Sequence, residues 1–236
     1  MHLVLLAAGK SSRIYNQINK HKCLIKIKKK EIINHLIDNS IKNKINKVTI
    51  ITGYKKNLLK KKIKKKNVNF IYNKFYSKYE MVYSIYLALK NIKDDIIISY
   101  SDILYDEKII NLIVKKKRSN ILIPIKKDWL KIWNKRKKQI FDDAETLKIK
   151  NQKLTEIGKK LTKISDAQGQ FMGILYIPND HRENLIKIIL NLKLYKKQTT
   201  FLLNTLIGKK IDIDTITTYL SWYEFDDLDD LNNYYD

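Results

Sequence analysis

The first half of this chain of 236 residues alternates short β-rich runs with helix-patterned stretches, and that alternation constrains its fold more than any other feature. Leu3–Ala7, Val48–Thr52, Val68–Tyr72, Ile96–Tyr100 and Ile121–Ile125 read as strands. Between them, Glu31–Ile41 carries Ile32, Ile33, Leu36, Ile37 and Ile41 at helical spacing, and Lys55–Lys64 reads as a basic surface helix. Glu80–Leu89, with Tyr83, Tyr86 and Leu87 expected on its inward face, and Glu107–Val114 complete the helices. Strands separated by helices predict a mostly parallel sheet with helices on its faces. Ile96–Tyr100 is a continuous apolar run of the kind buried on both sides.

Beyond Ile125 the texture changes. Trp129–Arg136 is an aromatic and basic helical piece, and Glu145–Lys150 with Lys153–Ile157 alternate like a hairpin turning at Asn151-Gln152. Phe171–Tyr176 is expected as a strand, and Asp180–Leu190 as a helix capped by Asn179 or Asp180. Thr199–Leu206 (helix), Ile211–Tyr219 (strand) and Leu228–Tyr234 (acidic helix) finish the chain. With no repeat or linker-like segment, the reading is one α/β domain over 1–236. It is Rossmann-like, a mixed, mostly parallel sheet flanked by helices, with a small β-hairpin lid inserted around 126–170.

The formal charge of +24 raises a nucleic-acid reading. The excess is largely lysine and is spread along the whole chain, which fits solvated helix faces better than a groove, so no nucleic-acid partner is expected. The field should still draw anionic substrates. A single cysteine, Cys23, excludes a disulfide framework and a cysteine metal site, and it is expected as a small core residue. His2, His35 and His181 share no spacing that suggests a metal site. The chain opens on Met-His and a strand-like run, without a charged leader or a long apolar segment, so a soluble cytoplasmic protein with no membrane partner is expected.

Chemistry is expected at the carboxyl ends of the strands, where open α/β sheets bind ligands. Leu6-Ala7-Ala8-Gly9-Lys10-Ser11-Ser12-Arg13 empties the first strand into a turn rich in backbone N–H groups and positive charge. Such a turn suits a phosphate. It lacks the spacing of a P-loop and of a dinucleotide fingerprint. Asp102 follows the Ile96–Tyr100 run, and Ser221–Asp227 places further acids after the last strand-like segment. Two carboxylates at strand ends beside a triphosphate are natural Mg²⁺ ligands. Each feature alone also has an ordinary structural explanation, as a βα turn or a helix cap.

Together, Leu6–Arg13 and His21-Lys22-Cys23-Leu24 resemble the L-A-A-G-x-[GS]-[ST]-R … P-K-x-L signature of nucleotidyltransferases with the sugar-nucleotide pyrophosphorylase fold. The resemblance runs on through Ile51–Tyr54, Asp102 and Trp222–Asp226, over nearly the whole chain. Asn73–Tyr76, Tyr83–Tyr86, Asp143–Thr146, Glu156–Lys160 and Gln168–Gly173 are similar to the phosphocholine cytidylyltransferase branch. His21 stands where the family usually has proline, and Glu80-Met81 where the branch often has an Asn pair.

The resemblance implies transfer of CMP from CTP, or of another nucleotide from its NTP, to a small phospho- or phosphono-acceptor such as phosphocholine or 2-aminoethylphosphonate, with Mg²⁺. It implies Leu6, Ala7, Ala8, Gly9, Lys10, Ser11, Ser12, Arg13, Lys22 and Gly53 at the nucleotide, Arg13 and Lys22 as the working charges, and Asp102 and Asp226 at the metal. Tyr83, Glu145, Lys159, Gly173 and Glu224 are the candidates for the acceptor, with Glu80 a further charge partner for an ammonium group. A sugar-1-phosphate nucleotidyltransferase is the nearest alternative. Its usual lid carries Glu-Lys-Pro, a proline absent from Gly158-Lys159-Lys160-Leu161.

Overall fold

The opening run forms strand β1 (His2–Ala7), buried at five of its six positions. The computed structural model describes residues 1–10, 21–63, 65, 67–116, 119–136 and 139–235. The remaining strands, in chain order, are β2 (Lys26–Ile27), β3 (Lys30–Glu31), β4 (Lys47–Thr52), β5 (Val68–Tyr72), β6 (Ile96–Tyr100) and β7 (Ile103–Tyr105). They continue as β8 (Ile121–Lys126), β9 (Glu145–Lys150), β10 (Lys153–Lys160), β11 (Gln170–Phe171), β12 (Ile174–Ile177), β13 (Ile213–Thr218) and β14 (Trp222–Glu224).

The main sheet runs β5-β4-β1-β6-β12-β8-β13-β10-β9, with β11 beside β8. β1 pairs in parallel with both β4 and β6. The chain therefore leaves β1 toward β4 and β5, then returns to β6 on β1's other side. That reversal opens a crevice at the carboxyl ends of β1 and β6. β12 is antiparallel between β6 and β8, which makes the sheet mixed, and β13 returns to parallel beside β8.

Alternate side chains of β1 feed two apolar layers, because successive side chains of a strand point to opposite faces. Leu3, Leu5 and Ala7 join Ile33, Leu36 and Ile37 of helix Ile32–Lys42 and Ile109, Ile110 and Ile113 of helix Lys108–Lys116. Val4 faces the other layer, with Ile85 and Leu89 of helix Met81–Asn91, Leu185 and Ile189 of helix Arg182–Asn191, and Leu202 and Leu206 of helix Thr199–Gly208. The expected mixed, mostly parallel sheet flanked by helices is what the chain forms. Among the described residues no helix is long and apolar enough to cross a membrane.

Several local expectations are corrected. The run expected as one strand over 171–176 is broken at Gly173, which has φ +70°. β11 pairs with β8 and β12 with β6, so the chain must change neighbours there. The helix expected to be capped by Asn179 or Asp180 begins instead at Arg182, after a single 3-10 turn, with no side-chain cap. The Asn179 backbone N–H donates to Asp95 Oδ1 at 3.0 Å.

In helix Met81–Asn91 the fully buried apolar residues are Val82, Ile85, Ala88 and Leu89; of the expected three, Tyr86 and Leu87 are only partly buried against the same core and Tyr83 is not part of it. The aliphatic side chains take the dry face, while the two tyrosines join an aromatic cluster with Tyr79 and Tyr195. The 145–160 hairpin turns at Asn151 (φ 51°) and Gln152 (φ 61°), and Lys153 pairs with Asp214. Its strands thus continue the main sheet.

Candidate active site

Ala8, Gly9 and Lys10 leave β1 along a cavity of about 460 Å³, whose walls also include His21, Lys22, Asn73, Tyr79, Glu80 and Asp102. Two contacts fix the base of this turn. The Ser101 hydroxyl donates to the Leu6 carbonyl at 2.6 Å, and the Tyr54 N–H donates to the Ala8 carbonyl at 3.1 Å. Gly53 explains the second contact, because a Cβ there would lie 2.4 Å from the Ala8 oxygen and 2.5 Å from Tyr76 Cβ. Only glycine lets the two backbones approach this closely. Ser11, Ser12 and Arg13, expected at the nucleotide, lie outside the described residues.

Lys22 opens a single 3-10 turn, Lys22–Leu24, anchored by the buried side chains of Cys23, Ile25 and Ile27. Its Nζ lies 3.3 Å from Asp102 Oδ2 and 2.6 Å from Asp226 Oδ1. Two residues 124 positions apart meet because β7 and β14 pair, with Ile103 opposite Glu224. The Phe225 N–H then donates to the Asp102 carbonyl at 2.9 Å, which sets Asp226 beside it. Neither β7 nor its pairing was expected from the sequence. Three residues after a long buried strand carry too little pattern to be recognised without their partner.

The electrostatics of this trio are tightly linked. Burial disfavours the charged form of Lys22, but Asp102 and Asp226 outweigh it and hold its pKa above the ordinary value. Burial raises the pKa of Asp102, with Lys22 opposing the shift and Asp226 adding to it. A cation is therefore needed between the two carboxylates, and in the free protein the lysine ammonium supplies it. Two carboxylate oxygens also suit Mg²⁺, which is commonly held by one or two carboxylates while water and substrate phosphates complete its shell. Among the described residues no cluster of three or more metal-ligating side chains exists. The donor set fits a metal that arrives with its substrate.

Of the residues expected at the acceptor, Glu80 lines this cavity, whereas Tyr83, Glu145, Lys159, Gly173 and Glu224 do not. Glu224 lies 3.3 Å from Arg136 Nη2, and Arg136 also holds Asp143 and Asp230 while its guanidinium covers the Trp133 ring. Burial and the neighbouring Asp226 push the Glu224 pKa up to about 8. Glu145 accepts a hydrogen bond from the Thr200 hydroxyl at 3.3 Å, and burial raises its pKa. Lys159 is exposed and paired with Glu156 at 2.5 Å. Gly173 packs against the Tyr100 ring, and its carbonyl accepts the Tyr100 N–H at 2.9 Å. Tyr83 sits 4.8 Å from Tyr79, centroid to centroid, and Tyr79 is the member of that aromatic cluster that reaches the cavity.

The wall beyond the loop is built instead from Asn73, Tyr79, Glu80 and Ser84. Asn73 is buried, accepts the Phe75 N–H at 2.9 Å and donates to the Ser84 hydroxyl at 3.1 Å. Besides the resemblance of Asn73–Tyr76 to the cytidylyltransferase branch, an asparagine directly after a strand is the sequence signal for this corner.

Comparison with known proteins agrees with this geometry. The model of the MobA-like NTP transferase domain matches residues 3–164. Over 98% of both chains, the sequence is 30% identical to the CTP:phosphoglutamine cytidylyltransferase of Campylobacter jejuni subsp. jejuni serotype O:2. The fold is shared with the inositol-1-phosphate CTP transferase from T. maritima, with a TM-score of 0.80 and 14% identity, over 98% of this chain and 91% of that one. It is shared also with the CTP:phosphocholine cytidylyltransferase from Streptococcus pneumoniae, with a TM-score of 0.72 and 18% identity, over 99% and 96% of the two chains. The expected kinship is thus found, and the chain belongs to the MobA-like NTP transferase family as a nucleotidyltransferase.

Proposed function

We propose that this protein transfers CMP from CTP to a small phosphorylated acceptor and releases pyrophosphate. The observation that carries the reading is the convergence of Lys22, Asp102 and Asp226 next to the Ala8–Lys10 turn. The full-length similarity to a CTP:phosphoglutamine cytidylyltransferase supports CTP as donor and makes phosphoglutamine the first acceptor to try. Phosphocholine and 2-aminoethylphosphonate follow.

In this reading the backbone N–H groups of the turn and Lys10 receive the triphosphate. An oxygen of the acceptor's phosphate attacks the α-phosphorus in line. The bond from that phosphorus to the bridging oxygen breaks, and pyrophosphate departs with the electron pair. No protein nucleophile is required, so catalysis consists of positioning and charge stabilisation. Lys22 offsets charge on the transferred phosphoryl group and the leaving pyrophosphate. Asp102 and Asp226 would hold Mg²⁺, which supplies further charge neutralisation on the phosphates when bound. Tyr79 and Glu80, on the remaining wall, are placed to meet an amino-bearing acceptor.

The test is pyrophosphate release with each of the four NTPs against phosphoglutamine, phosphocholine, 2-aminoethylphosphonate and glucose-1-phosphate. Turnover with CTP and one of the first three is expected. Turnover confined to glucose-1-phosphate would replace this reading with a sugar-1-phosphate nucleotidyltransferase.

A further inference from the structure

His21 is a charged-type residue in a dry place. It is 2% exposed and lies in the wall of the cavity beside Lys22. Burial drives its pKa down to about 4, helped by the nearby positive charge of Lys22 and opposed by the backbone at Gly9. At neutral pH the ring is therefore an uncharged imidazole with one N–H and one bare nitrogen, and its surroundings decide which is which.

Nδ1 lies 3.2 Å from the Cys23 sulfur. Burial pushes the Cys23 thiol pKa up, so the group stays protonated and carries a hydrogen to donate. An imidazole nitrogen is a far better acceptor than a thiol sulfur. The S–H therefore points at Nδ1, and the ring proton must sit on Nε2. Yet Nε2 is buried and makes no hydrogen bond of ordinary geometry among the described residues, although the Gly9 backbone lies close enough to favour the protonated ring. A buried N–H without an acceptor is a costly arrangement that native proteins rarely keep without a use.

The nearest use is the phosphate turn. Gly9 is exposed, and no neighbouring atom crowds its Cα, since a Cβ built on it would meet nothing within 4 Å. We propose that His21 is a positioning residue for the triphosphate turn: Cys23 locks its ring as the Nε2–H tautomer, and that N–H is the donor the Gly9 carbonyl takes when a triphosphate draws the turn in. The carbonyl and the following N–H of a trans peptide point in opposite directions. Pinning the Gly9 oxygen against the wall therefore aims the Lys10 N–H into the cavity, at the phosphates. The inference rests on the nucleotide reading of this cavity.

Two measurements test it separately. Ring ¹⁵N spectra of the ligand-free protein should show His21 as the Nε2–H tautomer at neutral pH. Cys23→Ala should mix the two tautomers, and Cys23→Ser should restore the first. An Nδ1–H ring in the wild type overturns the proposal. In calorimetry with CTP, His21→Asn, whose amide reaches only the Nδ1 position, should weaken binding about fivefold, the scale of one neutral hydrogen bond. His21→Gln, whose amide nitrogen reaches the Nε2 position, should bind within twofold of wild type, with far-ultraviolet circular dichroism confirming that both variants fold. Equal binding by His21→Asn and wild type, or no recovery in His21→Gln, overturns the His21 inference alone. A wild-type protein that binds no nucleoside triphosphate overturns the nucleotide reading, and this inference with it, whatever the tautomer.

Discussion

At the scale of single residues, the proposed chemistry rests on Lys22 standing between two carboxylates drawn from distant parts of the chain. Asp102→Asn and Asp226→Asn keep the side-chain shape and remove the charge. Each is expected to lower kcat at least about a hundredfold, the scale of losing one preorganised electrostatic contact, while the melting temperature changes little. A wild-type rate in either variant would take that residue out of the site. His21 also contributes to the loss of stability in acid. Its folded pKa of about 4 lies below the unfolded value of 6.5, so the unfolded chain takes up the proton first. Its contribution is complete above pH 6.5 and is lost as pH falls toward 4, by on the order of 3 kcal/mol. His21→Gln, which cannot titrate, should show a shallower fall in melting temperature between pH 7 and pH 4.5. An unchanged slope would mean that the ring is not kept neutral by burial. Ala8, Gly9 and Asp102 were legible in the sequence, because each sits at or just after an apolar run whose end is easy to find, whereas Lys22 and Asp226 came only from the resemblance to a known family. The acceptor candidates were not legible, because Glu224, Glu145 and Lys159 had no comparable marker of which way they face.

At the scale of elements, turns and strand neighbours decide more than propensity does. The Asn151-Gln152 hairpin was visible in its alternation, and both residues take positive φ as a two-residue turn requires. Gln152 is an L-residue in a conformation that glycine enters freely. Gln152→Gly is therefore expected to stabilise by roughly 0.5–1 kcal/mol, although it gives up the exposed contact from Lys116. Thermal denaturation should register a rise of about 1–4 °C, with turnover unchanged. A lower melting temperature would mean that the Lys116 contact outweighs the relief of the turn. By contrast, β7 and β14 are three-residue strands with no signature apart from each other, and their pairing, with the Phe225 N–H on the Asp102 carbonyl, brings Asp226 to Asp102. The split at Gly173 was equally hidden. A run of apolar residues does not reveal that its two halves pair with different neighbours.

At the scale of the whole molecule, a formal charge of +24 surrounds a cavity suited to an anionic substrate. Such a field raises the encounter rate with negatively charged ligands and is screened over about 8–10 Å at physiological salt. Accordingly, kcat/KM for the triphosphate should fall severalfold between about 20 and 300 mM salt, while kcat at saturation moves little. A salt-independent kcat/KM would show that the charge is only solvated surface.

What the sequence alone determined is the α/β class, the position of β1 and its glycine turn, and the kinship with nucleotidyltransferases. These rest on local periodicity and on short motifs that stay contiguous along the chain. The family resemblance already put Lys22, Asp102 and Asp226 at one site; only the tertiary structure decided that Lys22 stands between the two carboxylates and that Glu224 pairs with Arg136. It also decided that Tyr79 and Glu80, rather than Lys159, face the cavity. The reason is physical: a carboxylate's role follows from the charge opposite it, and that partner is set by strand pairing over more than a hundred residues, which no local pattern encodes.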